Sequence, residues 1–97
     1  MPLYDAALSG HLTTVAILLA RGAEINAQED QSGTTALYAA ASFGRNDVTA
    51  LLLEKGADPN ICSNEGESPL NVAVRNGNAE VANSIRRKGG KNLGKQL

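Results

Sequence analysis

Leu37-Tyr38-Ala39-Ala40-Ala41-Ser42-Phe43-Gly44 is followed, seven residues after its glycine, by Leu51-Leu52-Leu53-Glu54-Lys55-Gly56-Ala57-Asp58-Pro59-Asn60. A similar order of residues occurs once upstream, starting at Leu3, and once downstream, starting at Leu70. The period is 34 residues from Leu3 to Leu37 and 33 residues from Leu37 to Leu70. Such a regular period predicts stacked supersecondary units that each contact only their neighbours.

The middle copy is complete and shows how one unit is built. Thr35 is placed to cap a helix predicted over 36–43, and Gly44 ends that helix as a left-handed glycine does. A second helix opens at Arg45 or Asn46 and ends at Gly56, with apolar residues at 48, 51 and 52 on one face. Helices of two or three turns do not persist alone in water, so we expect the stack to fold as a whole.

The composition favours one small domain of closely packed helices. The chain has 97 residues, a net charge of −1, 42% hydrophobic residues and only 3% aromatic residues. The single cysteine, Cys62, excludes an internal disulfide and fits a reducing compartment. No apolar run approaches the roughly 20 residues of a membrane span. We therefore expect a cytoplasmic protein, with a nuclear location as the alternative.

The charges are distributed unevenly along the chain. Residues 1–67 contain nine acidic and three basic residues, a net charge of −6, whereas residues 68–97 contain one acidic and six basic residues, a net charge of +5. The basic run comprises 86–88, Lys91 and Lys95. Cations at a helix C-terminus complement its dipole and keep the end of a stack soluble. Binding of nucleic acid or an anionic membrane is the alternative, and it is not expected because no aromatic residues are interleaved with the bases.

Residues 33–40 and 52–60 resemble the ankyrin repeat, whose first helix opens with T-P-L-H-x-A-A and whose second ends with L-L-x-x-G-A-D-x-N. Gly10-His11 likewise matches the Gly-His between the helices of the family. The resemblance covers about residues 1–92 and implies one domain, 1–97, with repeats at about 1–29, 30–62 and 63–97. The implied fold is an all-α repeat, an ankyrin-type solenoid of stacked helix-turn-helix units with β-turn or hairpin loops.

Three departures from the family pattern carry predictions. Tyr4, Tyr38 and Asn71 replace the histidine of T-P-L-H, so we expect the hydrogen bonds that this histidine makes between repeats to be incomplete. The first connector has one extra residue, which we place at about Glu29, in a turn where insertions cost little. The last repeat has charge where the others are apolar, as at Arg86, and is therefore predicted to be a C-terminal cap.

The start of the first repeat is incomplete compared with the other two. Met1 stands where the other repeats have a capping threonine or serine, and no turn precedes it. Leu12 and Ile17 are then expected to lack a covering neighbour. Two interpretations remain open: the sequence is a piece of a longer array, or this face is covered by a weak oligomer contact or by a partner.

The resemblance implies that the chain binds another protein through a concave face formed by the turns and the first helices. Phe43 is the distinctive residue of that face, because Ser9 and Asn76 occupy the same position in the other repeats. It is interpreted either as an anchor for a partner or as ordinary packing onto Gly44. The predicted contact residues are Gln28, Glu29, Asp30, Gln31, Ser32 and Thr34 in the first turn; Cys62, Asn64, Glu65 and Glu67 in the second; and Leu8, Ser9, Ser42, Phe43, Arg75 and Asn76 on the helices.

No pattern of a catalytic or metal site is present. His11, the single histidine, occupies a position where the family uses histidine structurally, and no His, Cys or carboxylate cluster has the spacing of metal ligands. We therefore expect no cofactor, no metal and no enzymatic activity. The function predicted is protein–protein interaction, and the alternative is a designed, reconstructed or excised minimal ankyrin array without a dedicated partner.

Overall fold

Three helix pairs follow one another along the chain in the computed structural model, which describes residues 1–93. Lys95 of the basic run lies outside the described residues. Within them no strand is formed, and the turns connect helices directly. The helices are α1 Pro2–Ser9, α2 Leu12–Ala20, α3 Ala36–Ser42, α4 Asn46–Glu54, α5 Pro69–Arg75 and α6 Ala79–Arg87.

The helix ends follow the local sequence signals. The Thr35 hydroxyl accepts a hydrogen bond from the Tyr38 N–H at 3.2 Å and so caps α3. At α5 the Ser68 hydroxyl accepts from the Asn71 N–H at 3.1 Å, and Asn71 Oδ1 accepts in return from the Ser68 N–H at 2.9 Å. α3 ends one residue earlier than predicted, because Phe43 is its C-cap and Gly44 follows with φ +66°.

The helices stack in two rows. The inner row consists of α1, α3 and α5, the outer row consists of α2, α4 and α6, and each inner helix packs against the outer helix of its own repeat. Alanines at the contacts allow the helices to approach closely. The core residues with side chains almost entirely removed from solvent include Ala7, Val15, Leu37, Ala40, Ala41, Val48, Leu52, Val72, Ala73, Val81 and Ile85.

Asparagine side chains join the loops of successive repeats. Asn26 Oδ1 accepts a hydrogen bond from the Asp58 N–H at 2.9 Å. Asn60, its counterpart one repeat later, accepts in the same way from the Lys91 N–H at 2.9 Å and also donates to the Gly89 carbonyl at 3.1 Å. These bonds satisfy backbone groups that no helix pairs, so the connectors are fixed relative to one another.

The first turn holds the extra residue of the first repeat. The Glu29 N–H donates to the Thr34 carbonyl at 2.8 Å, whereas in the second turn the Ser63 N–H donates to the Glu67 carbonyl at 2.8 Å. The first turn therefore encloses four residues and the second encloses three. The prediction of an insertion at about Glu29 is confirmed by this geometry.

No helix within residues 1–93 combines the length and the apolar character that crossing a bilayer requires.

Candidate partner-binding surface

The predicted contact residues divide into two groups that lie at opposite ends of the inner helices. One group forms the turns that precede α3 and α5, and the other lies at the C-terminal ends of α1, α3 and α5. Nine are exposed, six are half-buried and Thr34 is buried. The exposed ones are Ser9, Gln28, Asp30, Gln31, Phe43, Asn64, Glu65, Arg75 and Asn76, and the half-buried ones are Leu8, Glu29, Ser32, Ser42, Cys62 and Glu67.

Glu29 organises the first turn from within. Its Oε1 atom accepts hydrogen bonds from the Ser32 N–H at 2.7 Å, the Ser32 hydroxyl at 2.8 Å and the Gln31 N–H at 2.9 Å. These bonds, above all the one from the Ser32 backbone, hold the pKa of Glu29 below its ordinary value of 4.5. The Glu29 carboxylate is thus used to shape the turn, and the exposed Asp30 carries the charge that the turn presents to solvent.

The second turn is tied directly to the first. The Asn64 N–H donates to the Ser32 carbonyl at 2.8 Å, and Asn64 Nδ2 donates to the Gln31 carbonyl at 2.9 Å. Ser63 Oγ accepts from the N–H groups of Glu65 and Glu67 at 3.3 and 3.2 Å. Because both turns are cross-linked by hydrogen bonds, they form one continuous surface, on which Asp30 and Glu65 are exposed carboxylates.

Two tyrosines connect the inner helices to the turn of the following repeat. The Thr34 hydroxyl donates to the Tyr4 hydroxyl at 3.0 Å. One repeat later, the Tyr38 hydroxyl donates to the Glu67 carboxylate, and Arg75 Nη2 lies 3.1 Å from the same carboxylate oxygen. Burial and this hydrogen bond raise the pKa of Tyr38 above its ordinary value of 10.

The prediction that the hydrogen bonds between repeats are incomplete was wrong. Tyr4 and Tyr38, which replace histidine, both bond to the next turn, and Asn71 donates to Asn92 Oδ1 at 2.9 Å. The sequence contained a signal for this arrangement: the tyrosines lie 34 residues apart, and their partners Thr34 and Glu67 lie 33 apart. Thr34 and Glu67 are therefore engaged in the fold, and little of Thr34 is accessible, since it is 3% exposed.

Phe43 is the large apolar side chain of the inner row that stands out into solvent. It is 56% exposed and does not fold down onto the helix pair. The neighbouring backbone is fixed, because Asn76 Nδ2 donates to the Ser42 carbonyl at 2.9 Å. Eight residues separate Phe43 from Thr35, which at 1.5 Å per residue puts it about 12 Å from the turn along the helix axis. Phe43 and the acidic turn are thus at opposite ends of α3.

Cys62 and His11 are placed as structural residues of this surface. The half-buried Cys62 thiol lies 3.8 Å from the Asn60 carbonyl. His11 precedes α2 and is exposed. Its counterparts, Arg45 and Asn78, reach back to carbonyls of the preceding repeat, at Leu8 and Ala41, over 3.0 and 3.3 Å. Within residues 1–93 no three His, Cys, Asp or Glu side chains are grouped in a way that could hold a metal ion.

The repeat geometry agrees with the comparison with known families. Residues 3–96 match the family described as ankyrin repeats, in three copies. The chain therefore belongs to the ankyrin repeat family, which comprises non-enzymatic modules for protein–protein interaction.

Similar sequences occur inside much larger animal proteins. The chain is 47% identical over 57 residues to the Neurogenic locus Notch protein of Drosophila melanogaster, an alignment that covers 59% of the chain and 2% of that protein. It is 34% identical over 88 residues to the Nuclear factor NF-kappa-B p105 subunit of Mus musculus, covering 90% of the chain and 9% of that protein. The human Neurogenic locus notch homolog protein 1 is 42% identical over 54 residues, with 56% and 2% covered. The chain thus spans less than a tenth of the length of these relatives.

Proposed function

We propose that the chain binds a segment of another protein across its inner surface, defined as the two turns together with the C-terminal ends of α1, α3 and α5. The observation that carries this proposal is the exposure of Phe43, at a position where the other two repeats have Ser9 and Asn76. The three positions are equivalent in the stack, so the fold itself does not require an aromatic residue there. Phe43 is accordingly assigned the role of an apolar anchor.

The energetics of such an anchor are favourable. Removing an exposed aromatic side chain from water contributes on the order of 1.5–3 kcal/mol, and aromatic residues are frequent among those that dominate binding energies. The ordering cost is small, because Asn76 already holds the backbone at Ser42 and Asn64 already joins the turns. A preformed surface of this kind supports binding of an extended or helical segment that reaches from Phe43 to the exposed carboxylates of Asp30 and Glu65.

Affinity capture from extracts of the cells that contain the protein tests the proposal. The wild type, Phe43→Ala and Glu65→Lys are immobilised in parallel, and a captured protein is then purified and titrated by calorimetry. We expect Phe43→Ala to weaken binding about tenfold to a hundredfold. We expect Glu65→Lys to weaken it less and to change its salt dependence, because a charge at the rim acts mainly through screened attraction.

Ile17→Ala is the matched control, because Ile17 is 47% exposed and lies on the outer row. It removes a similar amount of exposed apolar surface and should leave the titrated affinity unchanged. Equal capture by the wild type and Phe43→Ala contradicts the proposal. Absence of any specific capture, together with two-state unfolding of the monomer, favours instead a minimal array without a dedicated partner.

The proposed role requires no cofactor, no metal and no catalytic group. We place the interaction in the cytoplasm or the nucleus, where the single thiol of Cys62 stays reduced. Nucleic acid is not part of the proposal, because the exposed carboxylates Asp30 and Glu65 repel phosphates at the surface that carries Phe43.

A further inference from the structure

α2 is a solvent-facing helix without a single charged side chain. Its sequence, Leu12–Ala20, contains two threonines and seven apolar residues, yet Val15 alone is fully buried. Ile17 is 47% exposed and Leu12 is 39% exposed. The other outer helices are different, because α4 and α6 both carry acidic residues and α6 also ends in two arginines. The outer row therefore has one neutral, apolar end.

An apolar groove extends this surface onto the second repeat. It has a volume of about 450 Å³, lies between α2 and α4, and is lined by Leu19, Ile25 and Leu51 among other residues. The corresponding groove between α4 and α6 has a volume of about 180 Å³ and is lined partly by Arg87 and Lys88. α2 also packs against α4 less extensively than α4 packs against α6. The exposed apolar surface of α2 and this groove form one patch, called the α2 patch below.

A further ankyrin repeat stacked in the usual way does not fit the first repeat. Positions that the preceding repeat covers can be recognised, because they are buried in the second and third repeats and exposed in the first. One such position has Ala39 and Val72 buried in the later repeats and Asp5 in the first, where its side chain is 76% exposed. Stacking there would bury the Asp5 carboxylate without a partner of opposite charge, at a cost that buried apolar contacts rarely offset.

Thr14 supports the same conclusion for the outer helix. It is exposed, whereas its counterparts Val48 and Val81 are buried by the repeat before them. The polar positions, Asp5 and Thr14, thus lie where a stacked repeat would press. The apolar side chains of α2, in contrast, remain available to a contact made by the outer helix alone.

We propose that the α2 patch is a self-association surface, which pairs two copies of the chain through a two-fold axis. Near such an axis each residue meets its own copy, so a charged helix would oppose like charges. α2 satisfies this requirement because it is neutral, whereas α4 and α6 would bring carboxylates or arginines together. An antiparallel crossing of the two α2 helices also places the N-terminus of each helix dipole near the C-terminus of the other.

The size of the molecule is compatible with such a dimer. A specific interface buries about 600 Å² or more per partner at the lower end of its range, which is roughly a ninth of the 5364 Å² accessible surface of the chain. The α2 patch supplies the apolar centre of this area. The inner surface lies on the opposite row of helices and stays open in the dimer.

Sedimentation equilibrium of the 97-residue chain between about 5 and 500 μM tests the proposal. We expect the average mass to rise from 10.1 kDa toward twice that value and no further. Ala16→Glu puts a charge on the exposed side of α2 and should weaken the dimer about tenfold or more. Asn83→Glu is the matched control, because Asn83 is exposed at the equivalent position of α6 and should leave the dimer unchanged.

Circular dichroism of both variants verifies that they retain the helical fold of the wild type. A wild type that remains at 10.1 kDa throughout overturns the proposal, as does an Ala16→Glu variant that dimerises like the wild type. Masses that grow beyond the dimer also overturn it, because they indicate open head-to-tail stacking of repeats instead of a closed two-fold contact.

Discussion

Gly33 is predicted to be much less tolerant of alanine than Gly22, although both have a positive φ. Gly33 has φ +72° and Gly22 has φ +90°, so a side chain is strained at either position. At Gly22 an added Cβ meets no atom within 4 Å. At Gly33 it would lie 2.2 Å from Asn64 Oδ1 and 3.1 Å from the Asn64 backbone nitrogen. The comparison of the two substitutions therefore separates backbone strain from the contact between the turns.

The magnitude follows from what Asn64 holds. A left-handed alanine costs about 1–2 kcal/mol, and the lower entropy of the unfolded chain returns about 0.4–1 kcal/mol of this, so Gly22→Ala should lower the free energy of unfolding by about 1 kcal/mol. Gly33→Ala must in addition displace Asn64, which donates to the carbonyls of Ser32 and Gln31. Each hydrogen bond contributes about 0.5–1.5 kcal/mol, so this variant should lose roughly 2 kcal/mol more than Gly22→Ala.

Urea unfolding followed by far-ultraviolet circular dichroism measures both values. With a slope of about 1.5 kcal/mol/M, the unfolding midpoint of Gly33→Ala should lie roughly 1.3 M below that of Gly22→Ala. Asn64→Ala removes the clashing side chain, so its effect and that of Gly33→Ala should be less than additive in the double variant. If Gly22→Ala and Gly33→Ala agree within about 0.5 kcal/mol, the turns do not stabilise each other through Asn64.

Two further predictions concern single side chains. Thr49→Val should raise the free energy of unfolding by about 1 kcal/mol in the same urea assay, because the buried Thr49 hydroxyl has no hydrogen-bond partner within residues 1–93; the exposed Thr14→Val should change it little, and a loss of stability in Thr49→Val would contradict the assignment. Tyr38→Phe should cost about 1 kcal/mol at pH 7. Because the folded state holds the pKa of Tyr38 above the ordinary value of 10, the unfolded chain loses this proton first and wild-type stability should fall as the pH rises above 10. Tyr38→Phe should reduce that fall more than Tyr4→Phe, and equal pH profiles for the two variants would refute the role of burial at Tyr38.

Helix positions and helix ends could be predicted from the sequence because their causes are local. Ser68 caps α5 and Gly44 terminates α3 through groups within four residues of themselves, so a short window contains the whole interaction. The period itself is a non-local signal, but it repeats and needs no knowledge of contacts. The error of one residue at the end of α3 is of the size expected for fraying helix ends.

The hydrogen bonds between repeats could not be predicted in the same way. The replacement of histidine by Tyr4 and Tyr38 was interpreted as a loss, because the pattern shows residue types but not how far a side chain reaches. A phenol hydroxyl extends beyond an imidazole and meets the next turn, which lies about 30 residues later in the sequence. Thr34 and Glu67 were consequently predicted as surface contacts, although these tyrosines engage both.

Equivalent positions in the three repeats serve as internal controls for function. The fold imposes nearly the same backbone and neighbours on Ser9, Phe43 and Asn76, so the phenylalanine is not needed to build a repeat. The same comparison shows that Asp5 replaces a buried apolar residue only where no preceding repeat covers it. A residue that differs from its counterparts without a structural reason is available to serve a contact outside the chain. By this criterion the inner surface at Phe43 and the neutral helix α2 are the two places where such contacts are expected, and they lie on different rows of the stack.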